Sequence, residues 1–262
     1  MKTFAVVGTD KRQAAAAEYL KKIGFTVYTA EGVHMADYIL LPMPLTGDNV
    51  SQTQLLYAAK KNALAFAGKV SVEALEISKG AKVEIIDYFK RDDLAMLNAI
   101  PTVEGAIEIV LAARNRTLWQ SQIIVTGFGR IARLLCHHLK AFGANVTVCA
   151  RAAKDRAEAI AFGYNGATIS NLPQICTKAD ILINTVPALI VDEKALRNLS
   201  LDALVVDLAS VPGGIDTVAV QALGINYKWA LSLPAKTAPL TAGEFVIKTV
   251  LEIITERDGE PF

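Results

Sequence analysis

Short β-branched runs alternate with helix-patterned segments from one end of this chain to the other, and that alternation restricts its folds more than any other feature. The first series of runs is TFAVVG (3–8), FTVYTA (25–30), DYILLP (37–42), ALAFA (63–67) and KVEIID (82–87). A strand followed by a helical crossover and a further strand pairs in parallel, with helices covering both faces of the sheet. A second series lies near 121–126, 145–150, 167–169, 180–184, 204–208 and 225–230. Six such strands fit the doubly wound dinucleotide fold. The predicted class is α/β with two doubly wound domains, an N-terminal flavodoxin-like or Rossmann-like domain and a dinucleotide-binding Rossmann domain, joined by long helices.

The segment RDDLAMLNAIPTVEGAIEIVLAARN (91–115) interrupts the alternation. Pro101 disfavours helix at Ile100 and predicts a break between a short helix and a longer one. In the longer one Val103, Ala106, Ile107, Val110 and Leu111 follow the spacing of an amphipathic helix. Near the C-terminus Thr241 and Glu244 read as a capping box, and Val246, Ile247, Val250, Leu251 and Ile254 form one apolar stripe. The two stripes are expected to pack on each other and return the C-terminus to the first domain. Ser51 with Gln54 reads as a further capping box, and Ser71 as a helix start. The expected domains are 1–100 with 236–262 returning as the substrate or catalytic domain, 101–118 as connector helix, and 119–235 as dinucleotide-binding domain.

Composition narrows the ligand. With 27 basic against 26 acidic residues among 262 and no run of like charge, there is no electrostatic footprint for nucleic acid or an anionic membrane. A small-molecule ligand is expected. The N-terminal apolar run is too short for a signal-peptide core, and no apolar run approaches the length of a membrane span, so a cytoplasmic protein is expected. Cys136, Cys149 and Cys176 are odd in number, lack metal spacing and fall in apolar surroundings. They read as buried, inert thiols, with no disulfide framework and no metal site.

The stretch IIVTGFGRIARLLCHHLKAFGANVTVCARAAK (123–154) carries a G-x-G-x-x-A motif between a predicted strand and a predicted helix. Gly127 permits the tight turn, Gly129 lets the backbone approach a pyrophosphate, and Ala132 allows helix and strand to pack closely. The helix start, with Phe128, Arg130 and Ile131, offers backbone N–H groups to the anion. In NAD sites a carboxylate closes the second strand and accepts from the ribose 2′-hydroxyl. Here Ala150 and Arg151 close it. Ala150 removes the charge that would repel a 2′-phosphate, and Arg151 adds a bidentate contact, with Lys154 and Arg130 at longer range. The expected cofactor is NADP, in preference to NAD. INTVPA (183–188) and VVDLASVPGGID (205–216) end the fourth and fifth strands of this series, so Thr185, Val186, Pro187, Ala209 and Ser210 are expected along the path to the nicotinamide.

FKRDDLAMLNAIPTVEG, GFGRIARLL, GANVTVCAR, INTVPALI, DLASVPGGID and LPAKTAPLTAG, in this order and spacing, resemble the A subunits of bacterial dipicolinate synthases. The resemblance runs from about residue 3 to 254 and is most specific in RDDLAMLNAIPTVEG and DLASVPGGID. It implies oxidation of dihydrodipicolinate to pyridine-2,6-dicarboxylate with NAD(P)+ in the mother cell of a sporulating bacterium. A flavoprotein-like B subunit is the implied partner, and a homo-oligomer is expected. One position departs from the family pattern: Leu240 stands where a lysine often follows the proline, and Lys236 lies four residues earlier.

A cyclic imine dicarboxylate needs cations or N–H groups for two carboxylates and an acceptor for one proton. Arg91, Lys236, Thr102 and Thr241 are the candidates for carboxylate binding. Glu104 or Asp92 is the candidate general base, provided that burial raises its pKa. Arg91 and Asp92 read equally well as a surface pair at a helix start. His137 and His138 lie about two turns beyond the phosphate position, and His34 has no partner visible in the sequence. Two further readings stay open: a non-catalytic NADP-binding subunit whose partner does the chemistry, and an oxidoreductase of the alanine dehydrogenase type.

Overall fold

The computed structural model describes residues 2–259. The chain divides into two compact units: residues up to Asn98 together with those from Ala238 on, and Ala99–Thr237.

The first unit is built on five strands, β1 (Thr3–Val6), β2 (Thr26–Tyr28), β3 (Tyr38–Leu40), β4 (Leu64–Ala67) and β5 (Glu84–Asp87). All pair in parallel, in the order β2-β1-β3-β4-β5, which is the flavodoxin-like arrangement. Its helices are α1 (Lys11–Lys22), α2 (Val72–Ala81), the first part of α3 (Asp92–Ala113) and, further along the chain, α10 (Pro239–Asp258). Because successive side chains on a strand point to opposite faces, two cores form. Phe4, Val6, Tyr38, Leu40, Leu64 and Phe66 face one side, and Ala5, Val7, Ile39, Leu41, Ala65 and Ala67 the other.

The second unit contains β6 (Gln122–Thr126), α4 (Arg130–Ala141), β7 (Asn145–Cys149), α5 (Ala153–Ala161), β8 (Asn165–Ala167), α6 (Leu172–Cys176), β9 (Ile181–Asn184), α7 (Glu193–Leu196), β10 (Leu204–Asp207), α8 (Thr217–Leu223), β11 (Asn226–Trp229) and α9 (Leu233–Thr237). Its six parallel strands run β11-β10-β9-β6-β7-β8. Renumbered within the unit this is 3-2-1-4-5-6 read from the other edge, the Rossmann order, with its topological switch between β6 and β9. The third strand of the second series falls at 165–167, two residues before the predicted 167–169.

Three expectations about helices are corrected. Pro101 does not split the connector: α3 is one helix of 22 residues with Pro101 inside it. A proline costs a helix one N–H bond and a clash with the preceding turn, and here burial of Val103, Ala106, Ile107 and Val110 in the second unit's core keeps the helix continuous. Val246, Ile247, Val250 and Ile254 of α10 (Pro239–Asp258) join Phe4, Ala16, Leu20 and Tyr38 in the first unit, whereas the α3 stripe belongs to the other core. Leu111, counted in the stripe, is exposed. Within the first unit Gly243 is the point of approach: a Cβ there would lie 2.5 Å from the Arg12 carbonyl and 2.8 Å from the Ala15 methyl.

Thr241 caps nothing, because α10 starts two residues earlier with Pro239 in its first turn and Ala238 before it. Proline suits that position since its missing N–H would be unpaired there anyway. Ser51 is likewise no cap. It lies inside a 3₁₀ run, Gly47–Ala58, and donates to the Asp48 carbonyl at 2.8 Å. Ser71 does cap α2, accepting from the Ala74 N–H at 3.2 Å. The continuous α3 also changes the membrane reading: it is long and apolar enough to cross a bilayer, with a mean hydropathy of 1.5, yet half of that window is buried against protein, as for a core helix.

Candidate active site

The carboxyl ends of β6, β9 and β10 meet at the switch point of the second unit. Gly127 follows β6 with φ +86°, a conformation that L side chains rarely adopt. A Cβ on it would lie 2.7 Å from both the Thr185 hydroxyl and Val186 Cγ2, so the turn presses against the loop after β9. Gly129 differs. Its φ of −83° is open to any residue, and an added Cβ would meet nothing within 4 Å. It directly precedes α4, where the N–H groups of a helix start can receive a pyrophosphate. Ala132 is fully buried under the turn. Phe128 does not face a ligand: its ring is in the core, edge-on to Tyr164 at 6.3 Å and covered by the Arg133 guanidinium at 4.8 Å. Of that residue only the backbone is available to an anion. Arg130 and Ile131 begin α4.

After β7, Ala150 is buried and Arg151 exposed. The Arg156 guanidinium donates to the Ala150 and Arg151 carbonyls, at 2.9 and 2.7 Å. This fixes the backbone of the turn and leaves the Arg151 side chain without an ion pair among the described residues. Lys154 is exposed in the first turn of α5.

The residues that sequence reasoning missed lie beneath this surface. Thr126, Asn184 and Asp207 end β6, β9 and β10, and all three are fully buried. The Thr126 hydroxyl donates to Asn184 Oδ1 at 2.6 Å, and Asn184 Nδ2 donates to Asp207 Oδ1 at 2.7 Å and to the Val186 carbonyl at 3.0 Å. Asp207 also accepts the backbone N–H groups of Ala209 and Gly214, each at 2.9 Å. One carboxyl group thus holds both ends of the ASVPGG loop. Gly214 fits against the Val186 carbonyl and the Asn184 amide, where a Cβ would overlap both. The Thr185 hydroxyl donates to the Thr126 carbonyl at 2.8 Å, and Trp229 Nε1 to the Ala209 carbonyl at 2.9 Å. Burial, with the Asp207 charge adding to it, pushes the Tyr227 phenol up to about 12. The available signal was a polar residue closing each apolar strand, in IVT, LIN and VVD. Pro187 and Ser210 are exposed beside this network, and Ala209 is buried within it.

The other candidates fall in both units. In the second, Gly105 of α3 abuts α9: a Cβ on it would overlap the Thr237 hydroxyl and lie 3.1 Å from Leu233 Cδ2. IPTVEG and LPAKT therefore converge. Thr102 is half-buried, while Glu104 and Lys236 are exposed. In the first unit Arg91 is committed to partners, donating to both Glu256 oxygens at 2.5 and 2.8 Å and to Asp93 at 2.9 Å. Asp92 and Thr241 are exposed. Glu104 and Asp92 are therefore exposed carboxylates, and the expected burial of the general base is corrected. His138 bonds the Leu134 carbonyl of its own helix, and His34 the Glu31 carbonyl. The three thiols are buried and free, and burial pushes Cys136, Cys149 and Cys176 up to about 12.

Residues 108–211 match the family described as D-isomer specific 2-hydroxyacid dehydrogenase, NAD binding domain. The dipicolinate synthase A subunit of Bacillus subtilis is 31% identical over 232 residues, spanning 88% of this chain and 76% of the relative. This chain belongs to the family of dipicolinate synthase A subunits. Two solved structures of that family superimpose closely. The one from Bacillus subtilis has a TM-score of 0.85 at 27% identity, covering 99% of this chain and 98% of its own. The one from Bacillus halodurans has a TM-score of 0.85 at 26% identity, covering 97% of each. A transhydrogenase from Sinorhizobium meliloti, 19% identical with a TM-score of 0.73 over 90% of this chain and 79% of its own, shares the fold. Membership of this family, together with the NAD-binding domain match, places the chain among nicotinamide dinucleotide-dependent oxidoreductases.

Proposed function

We propose that this chain oxidises dihydrodipicolinate to dipicolinate with NADP+ as acceptor, as the A subunit of a two-subunit synthase in the cytoplasm of a sporulating mother cell. The similarity to the dipicolinate synthase A subunit over 88% of the chain carries this reading. The glycine turn supports the cofactor: Gly129 leaves its anion-facing side open while Gly127 is closed by Thr185 and Val186. Arg151, exposed after buried Ala150, supports NADP over NAD through a charge-assisted contact to the 2′-phosphate.

Bound NADP+ would accept the hydride; the protein supplies binding and orientation. The dihydropyridine gives up one hydride and one ring proton, yielding the aromatic dicarboxylate, NADPH and H+. Backbone N–H groups at Gly129, Arg130 and Ile131 hold the pyrophosphate. Thr185, Val186, Pro187, Ala209 and Ser210 form the wall beside the nicotinamide, fixed from below by Asn184 and Asp207. Lys236 and Thr102 bind substrate carboxylates. Glu104, or Asp92, takes the ring proton and passes it to solvent, in keeping with its exposure.

That same exposure favours a second reading, in which the chain binds NADP and a flavoprotein-like B subunit completes the chemistry. Purified chain, alone and then with the B subunit, is given hydroxytetrahydrodipicolinate and NADP+, and NADPH and dipicolinate are followed by absorbance. Turnover by the chain alone supports the first reading, and turnover only with the B subunit the second. Turnover of pyruvate with ammonia, and none of the dicarboxylate, would reject both in favour of an alanine dehydrogenase type.

A further inference from the structure

The amino ends of β9, β10 and β11 border a cleft of about 590 Å³ inside the second unit. It lies at the opposite edge of the sheet from Gly127 and Asp207, roughly 13 Å away along the strands at about 3.3 Å per residue. Arg114, Asn115 and Arg116, just past the end of α3, form one part of its lining, and Asp180, Ser200 and Asn226 another. The Arg114 side chain is only 8% exposed. Its hydrogen bonds are long, 3.4 Å to Asp180 Oδ1 and 3.5 Å to the Ser121 hydroxyl. A guanidinium has more N–H donors than two, and a buried cation this poorly satisfied is costly unless further acceptors reach it.

Asp180 does not supply them. Its Oδ2 accepts the Gln122 N–H at 2.8 Å, holding the start of β6, while Oδ1 meets Arg114 only at that longer distance. Arg116 is exposed and makes no ion pair among the described residues. Asp202, also lining the cleft, is an exposed and solvated carboxylate. The donors that face the cleft without adequate acceptors are thus the Arg114 and Arg116 guanidinium groups, with the Asn115 and Asn226 amides beside them. We infer that this cleft is an accessory site for a small oxyanion, carboxylate or phosphate, held by Arg114 and Arg116 and separate from the cofactor edge.

The test is a thermal-shift titration of the full chain with inorganic phosphate and with malonate, at ionic strength held constant with chloride. A saturable rise in Tm is expected with at least one of them: malonate alone identifies a carboxylate ligand, phosphate alone a phosphate ligand, and both the shared oxyanion chemistry. Arg114→Gln should weaken the midpoint by about tenfold or more, the equivalent of one charge-assisted hydrogen bond, with NADP+ affinity kept as evidence of folding. Arg116→Ala, at an exposed position, should weaken it without affecting folding and serves if the Arg114 variant does not fold. Arg151→Ala should leave the midpoint unchanged. No saturable rise, an unchanged midpoint in the Arg114 and Arg116 variants, or loss of the response in the Arg151 variant would each overturn the inference, the last by placing the anion at the cofactor edge.

Discussion

Asn184 and Asp207 are joined side chain to side chain at 2.7 Å, both fully buried, at the ends of neighbouring strands. Through this pair the loops after β9 and β10 share one anchor, since Asn184 also bonds the Val186 backbone and Asp207 holds Ala209 and Gly214. Replacing Asp207 by Ala leaves three donors unpaired in a dry site. The expected loss of stability is about 3 kcal/mol or more, measured by urea denaturation. A loss within the range of a surface substitution would show that the network is dispensable.

Two glycines of the site should respond in opposite ways. Gly129→Ala adds a methyl group to open space at an unstrained φ, so Tm should hold while NADP+ affinity falls by about tenfold or more, through obstruction of the approaching pyrophosphate. Gly214→Ala forces a methyl group against the Val186 carbonyl and the Asn184 amide, and should cost about 1–3 kcal/mol of stability before any ligand is added. Differential scanning calorimetry and cofactor titration on both variants separate the two behaviours.

Arg151 is the proposed reader of the 2′-phosphate. Arg151→Ala should weaken NADP+ binding by about 1–3 kcal/mol, as for a lost hydrogen bond to a charged group, and leave NAD+ binding nearly unchanged. Equal losses for both cofactors would reject the role. Ala150→Asp combined with loss of Arg151 should favour NAD+, by restoring the carboxylate that accepts from the ribose.

Lys236 is exposed on α9, next to the Gly105 contact. Its proposed task is substrate binding alone, so Lys236→Met should raise the KM for dihydrodipicolinate strongly while NADP+ affinity stays within error. An unchanged KM would remove it from the site.

The Arg91 cluster predicts a pH-dependent part of the stability. Hydrogen bonds from Arg91 hold the Asp93 and Glu256 carboxyls below their ordinary range. A carboxylate whose folded pKa is depressed contributes stability above its unfolded pKa, about 4, and the contribution is lost as pH falls through the folded value. Thermal melts should therefore show wild type above Arg91→Met at pH near neutral, and the gap should close in acid below about pH 4. A gap that persists unchanged there would mean that packing of the guanidinium, not its charge, stabilises the fold.

Period and punctuation in the sequence determined the class of fold. Strands alternate apolar residues to two covered faces, helices bury one stripe, and a glycine turn opening a helix has few uses other than an anion; each of these is a local property, readable at Gly127, Gly129 and Ala150. The Rossmann order and the return of the C-terminus to the first unit follow from such patterns together with the rules of parallel connection. What tertiary structure alone decided concerns partners distant in the chain. A stripe such as Val246–Ile254 specifies that something covers it, and only the fold selected Ala16 and Leu20 of α1 and Phe4 of β1. Pro101 sits within a continuous helix because core packing outweighs one lost hydrogen bond. Arg91 faces Glu256, 165 residues away, and Asp207 faces Asn184. A charged or polar side chain has little local preference among its possible partners, so its role is fixed only when the backbone brings an acceptor or donor within about 3 Å.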